Sequence, residues 1–170
     1  RLEEALEEFV RVLEMDPLRE DAMQIAGYLS AQLGRDDDAR DYYRRYLELN
    51  PTNAAIRMNI AYELHEAGDP VGAMLFIEDG IELEPENVDL LKQHGGFAYA
   101  AGADAMQGQA EIPAEAEALL RKSLESYGAV YALEGAEMDA GHLRVMLVVL
   151  RNLEEYGEAI DLAERVLETH

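Results

Sequence analysis

The chain has 170 residues, 49% of them hydrophobic, with no Cys and no Trp, and its 36 acidic residues against 14 basic ones leave a formal charge of −22. Such a chain can bury a core, but it has no thiolate for a disulfide or a zinc site, and its acidity repels phosphate backbones and anionic lipid. No apolar run approaches the ~20 residues that span a bilayer, so nucleic acid and membrane insertion are set aside and a neutral or basic protein partner is expected.

The first element is a helix over residues 1–16, where Leu2, Ala5, Leu6, Phe9, Val12 and Leu13 form one apolar stripe and Pro17 ends the run. A second helix covers 20–33 and is closed by Gly34. Asp36, Asp37 and Asp38 then occupy the first turn of a third helix, where carboxylates suit the positive end of the dipole, and that helix reaches about Asn50. A fourth covers 54–67 and stops at Gly68. Asp69 caps the next, with Pro70 at its first helical position, and the run continues to about Glu84.

These elements repeat. Pro17, Pro51 and Pro85 are 34 residues apart, and Leu-Glu-Leu-Asn-Pro-Thr-Asn at 47–53 returns as Ile-Glu-Leu-Glu-Pro-Glu-Asn at 81–87. A period of this length marks stacked units, each too small to bury its own apolar face. The second helices carry Ala5, Ala39, Ala73, Ala116 and Ala159. Four residues on come Phe9, Tyr43, Ile77, Leu120 and Ala163, and eight on come Leu13, Leu47, Ile81, Leu124 and Leu167. The first helices carry a small residue where the pair crosses, as Gly27, Ala61 and Gly95, because closely packed helices leave no room there for a larger side chain.

This pattern resembles the tetratricopeptide repeat (TPR), a helix-turn-helix unit of 34 residues, over essentially the whole chain and most specifically over 1–102. The resemblance implies an all-α fold, a right-handed α-solenoid of antiparallel helix pairs with about four and a half repeats. The units are 1–19 (a lone second helix), 20–53, 54–87, 88–130 and 131–170, as one array. The alanine spacing widens from 34 to 43 after Ala73, so nine-residue insertions fall within 103–115 and 128–139. Gly128 stands where the family has its proline, and Leu147 replaces the small crossing residue of the last unit. The extra residues form either loops or lengthened helices. Residue 1 enters a helical pattern without a cap and His170 lies on another, so a longer parent chain is expected.

The family's first helices line a concave groove that takes a peptide or a partner's helix. The positions carried over are Gln24 and Tyr28, then Met58, Asn59, Tyr62 and His65, then Lys92, Gln93 and Tyr99, with Arg144 from the last unit. Tyr28 and Tyr62 are one period apart and offer apolar area with a hydroxyl, a combination favoured at interfaces. The family's two-carboxylate clamp for acidic tails does not fit: Gln24, Tyr28, Asn59, Asp89 and Gln93 stand at its positions, and Asp89 would repel the ligand.

Chemistry is not expected. His65, His94, His142 and His170 have no metal-ligand spacing, and Asp36 to Asp38 lack the spaced ligands of a calcium loop. His94 reads as a packed residue. Asp41, Arg44, Arg45, Glu48, Glu78, Asp79 and Glu82 read as a solvated convex surface. No cofactor or metal is assigned. The chain is expected to be a non-catalytic protein-interaction scaffold, the alternatives being self-association through open solenoid ends or service as the recruiting arm of a larger protein. A cytoplasm, including a salt-rich one, suits its acidity.

Overall fold

The computed structural model describes residues 1–109 and 111–169, except for the side chains of Ala136, Glu168 and Thr169. All regular structure among the described residues is helical. Two compact units divide the chain, Arg1–Glu63 and the part from Leu64 onward, and the division falls within one helix.

The first unit holds α1 (Leu2–Met15), α2 (Glu20–Gln32), α3 (Asp36–Leu49) and most of α4 (Ala54–Glu66). Gly34 follows α2 with φ +68° and Gly68 follows α4 with φ +84°, left-handed conformations that glycine adopts without a Cβ clash. The α1 stripe meets α2 through Leu6 and Leu13 against Ala22, Met23, Ala26 and Leu29. Burying a side chain the size of Met23 contributes about 1.5–3 kcal/mol. At Gly27 α2 and α3 approach tightly, since a Cβ there would lie 2.5 Å from Cε1 of the buried Tyr43. Arginines tie the turns down: Arg45 donates to the Pro17 carbonyl at 3.2 Å, and the buried Arg57 donates to that of Pro51 at 3.2 Å.

In the second unit, α5 (Pro70–Leu83) begins as the sequence predicts, with Asp69 Oδ1 accepting from the Gly72 amide at 2.8 Å. It packs on α6 (Val88–Ala105), which forms a long hairpin with α7 (Ala114–Glu134). These two helices have 18 and 21 residues, against 14 for α5. The first insertion therefore goes partly into α6 and partly into a turn around Gly108, whose φ is +74°. Ala110, within that insertion, lies outside the described residues. The second insertion extends α7 through Gly128 to Glu134, followed by a 3-10 turn at Gly135–Glu137. Glycine lacks the ring that makes proline a breaker, so Gly128 does not end the helix as the family's proline would.

The lengthened hairpin has two close approaches. A Cβ at Gly102 would lie 3.0 Å from Leu120, and one at Gly95 would lie 3.0 Å from the Tyr127 ring. Gly95 is thus a tight crossing, but Gly102 faces Leu120 and the Ala116 backbone, and that second crossing was not expected. Beyond the hairpin, α8 (Ala140–Asn152) and α9 (Tyr156–Thr169) complete a core of Leu91, Val130, Leu143, Met146, Leu150 and Leu162. One expected core position is overturned: Leu167 is 77% exposed, because α9 turns its Leu162 and Val166 side inward and leaves Leu167 off that stripe.

Candidate functional site

The predicted contact residues of the first unit lie on α2 and α4. Gln24 and Asn59 are exposed, Met58 is half-buried, and Tyr28 and Tyr62 are 57% and 45% exposed. Ile25 adds apolar surface beside Gln24. Behind these helices stands Tyr43 of α3. Burial, then the charge of Glu63 and then Tyr28, push its hydroxyl up to about 12, so one buried phenol senses both α2 and α4. Glu63, next to Tyr62, is itself raised, mainly by burial and then by Asp36, with Arg40 opposing.

In the second unit two of the predicted residues, His65 and Lys92, are engaged internally. His65 lies against Phe97 with ring centroids 5.2 Å apart and planes tilted by 49°. Lys92 donates to Glu134 Oε1 at 2.7 Å, and both side chains are mostly covered. The extra turns of α7 place Glu134 there, so the insertion supplies the counter-charge. Gln93 and Tyr99 are half-buried, and Arg144 is exposed on α8.

A buried polar layer between α6 and α7 was only half legible. His94 is packed, as expected, but it also bonds: its Nδ1 lies 2.6 Å from Ser126 Oγ, and Ser123 Oγ donates to the Gly95 carbonyl at 2.8 Å. Glu78, expected on a solvated surface, sits between His94 Nε2 at 3.6 Å and the Lys122 ammonium. Burial lowers the His94 pKa below its ordinary value, with Glu78 pulling the other way. Serines seven and ten residues after Ala116 were the available signal for this layer, since two hydroxyls on the inner face of a long helix need partners. No group of three or more metal-ligating side chains occurs among the described residues. His170 lies outside them.

Residues 20–62 match the family model described as tetratricopeptide repeat. Solved structures extend the likeness to the whole chain. The MamA protein structure aligns with 99% of this chain and 82% of its own length at 15% identity and TM-score 0.69. Residues 20–62 thus carry the tetratricopeptide repeat, and the whole chain has the fold of TPR proteins. YrrB, described as a TPR protein with an unusual peptide-binding site, aligns over 99% of this chain and 78% of its own, at 18% identity and TM-score 0.66. The human IFIT1 dimer with m7Gppp-AAAA aligns over 98% of this chain but 46% of its own, at 13% identity and TM-score 0.50. No curated protein sequence matches. At these identities the likeness is one of fold, an all-α helical solenoid of TPR type. None of the described helices is long and apolar enough to cross a membrane.

Proposed function

We propose that this TPR chain is a non-catalytic scaffold that holds a peptide or helix of a partner protein through the exposed faces of α2 and α4. The observation that carries this reading is the pair of half-exposed rings, Tyr28 and Tyr62, standing among the amides of Gln24 and Asn59. Rings give contact area at small entropic cost, and amides satisfy a peptide backbone without demanding a charge. Asp21 and Glu20 on α2, with the charge of −22, favour a neutral or basic segment. Gln93, Tyr99 and Arg144 are proposed as contacts within the second unit by itself. Lys92 and His65 act by holding their own unit together, because their partners are already in place. The peptide-binding site named for YrrB is consistent with this reading.

The test is affinity capture with the wild type and with a Tyr28→Ala/Tyr62→Ala variant, at low and high salt, followed by mass spectrometry. A protein retained by the wild type and at least tenfold depleted with the variant supports the reading, provided the far-ultraviolet dichroism is the same. Equal retention by both overturns it.

A second reading, self-association, rests on the outer stripe of α9, where Tyr156, Ile160 and Leu167 are exposed at helical spacing. Two chains of charge −22 repel, so pairing would appear first at high salt. Light scattering that gives a monomer at ~1 M NaCl and high protein concentration would exclude it.

A further inference from the structure

A groove runs between α7 and α9. Its floor is apolar, made by Leu124 of α7, Met146 and Leu150 of α8, and Leu162 of α9, and it encloses about 250 Å³. That volume is several times a water's share of the liquid, and it holds one large aliphatic side chain with part of its backbone. On the α7 side the wall is Gly128, the fifteenth residue of a 21-residue helix. A Cβ built there meets nothing within 4 Å. Glycine weakens a helix interior, and neither packing nor a positive φ requires it at this position. Its effect is to leave the groove unfilled.

The rim gives the occupant its charge. Glu158 and Asp161 stand exposed on the α9 edge, two carboxylates against the single guanidinium of Arg165. That guanidinium lies over the Tyr131 ring, 5.7 Å from its centroid, and Arg165 Nε donates to the Asp161 carbonyl at 3.3 Å. A cation entering beside the two carboxylates finds them on exposed side chains, and the field of the whole chain draws it in.

We propose that this groove is a second binding site, on different helices from α2 and α4, for a short basic peptide segment whose large aliphatic side chain is flanked by lysine or arginine. The aliphatic group rests on Met146, Leu150 and Leu162, and the flanking cations face Glu158 and Asp161. A second copy of this chain is disfavoured as occupant because its own acidity would meet an acidic rim. This site stands independently of the reading for Tyr28 and Tyr62.

The experiment is a titration followed by the methyl signals of Met146, Leu150 and Leu162 in ¹³C-methyl NMR. The probes are three capped pentapeptides: Gly-Lys-Leu-Lys-Gly, Gly-Lys-Ala-Lys-Gly and Gly-Glu-Leu-Glu-Gly. The first is expected to shift these methyls with at least fivefold higher affinity than the other two. Gly128→Leu fills the groove and is expected to abolish the shift while Tyr28→Ala/Tyr62→Ala leaves it intact. Glu158→Gln/Asp161→Asn, which preserves packing, is expected to weaken the basic peptide at least threefold and to reduce its salt dependence. Equal response to the lysine and glutamate peptides, an undiminished response in a folded Gly128→Leu variant, or methyl shifts that follow protein concentration without peptide would overturn the proposal.

Discussion

His94 shows what a single buried side chain contributes. Its ring is enclosed by α6 and α7, its Nδ1 is bonded to Ser126, and burial depresses its pKa despite the nearby Glu78 carboxylate. A base whose folded pKa lies below its unfolded value resists a proton that the unfolded chain accepts. The associated stability is present above about pH 6.5 and is lost as pH falls from there through the folded value. Neutralising carboxylates on a chain of charge −22 acts in the opposite direction over lower pH, so the difference between variants is the quantity to read. Urea midpoints at pH 7.5 and 5.5 should fall more for the wild type than for His94→Leu, which has no ring nitrogen to titrate. Equal changes would show that His94 carries no such linkage. Tyr43 and Tyr127 work at the other end of the scale. Both hydroxyls are pushed up to about 12, so their contribution holds below pH 10 and is lost as the unfolded phenols ionise above it.

At the scale of the helix, glycines distinguish packing that needs space from packing that leaves it. Gly27→Ala drives a Cβ into the Tyr43 ring and is expected to cost about 1–3 kcal/mol, the usual penalty for overfilling a core. Gly128→Ala meets nothing and should stabilise α7 by about 0.5–1 kcal/mol. Thermal unfolding of the two variants should move in opposite directions, and a loss of stability in Gly128→Ala would mean that the groove is closed in solution. The helices themselves were legible because each carries its own punctuation. Asp69 with Pro70 begins α5, Gly34 and Gly68 follow α2 and α4, and the apolar spacing predicts which face turns inward. The long hairpin was not legible to the same degree. Helix propensity alone does not say whether residues after Gly128 continue a helix or leave it, and the choice depends on Tyr127, Val130 and Glu134 finding partners on other helices. The candidate contacts divide along the same line. Tyr28 and Gln24 are set by position within one regular repeat, whereas Lys92 acquires its role from a glutamate 42 residues away.

For the molecule as a whole, charge sets the conditions under which it is most stable. With 36 acidic residues in 170 the folded state confines more like charge than the unfolded chain does. Screening shortens from about 30 Å at 0.01 M to about 3 Å at 1 M salt, so the melting temperature should rise with NaCl and level off toward the upper end. A melting temperature independent of salt would show that the acidic surface is spread widely enough to be neutral in effect. Each compact unit is held by its own core, the first by α1 and α2 around Met23, the second by α7, α8 and α9 around Leu162.

The two lysines, Lys92 and Lys122, give the chain an unusual chemical character. Both ammonium groups are held against glutamates, Lys92 on Glu134 and Lys122 on Glu78, and arginine supplies every other basic side chain. The Lys92 side chain is mostly covered, at 22% exposure, and acylating reagents must reach the amine. Amine-directed crosslinkers, succinimidyl dyes and lysine-specific proteases will therefore act slowly at Lys92 of the folded protein, and rapid acylation of Lys92 becomes a direct readout of opening in the α6–α7 hairpin.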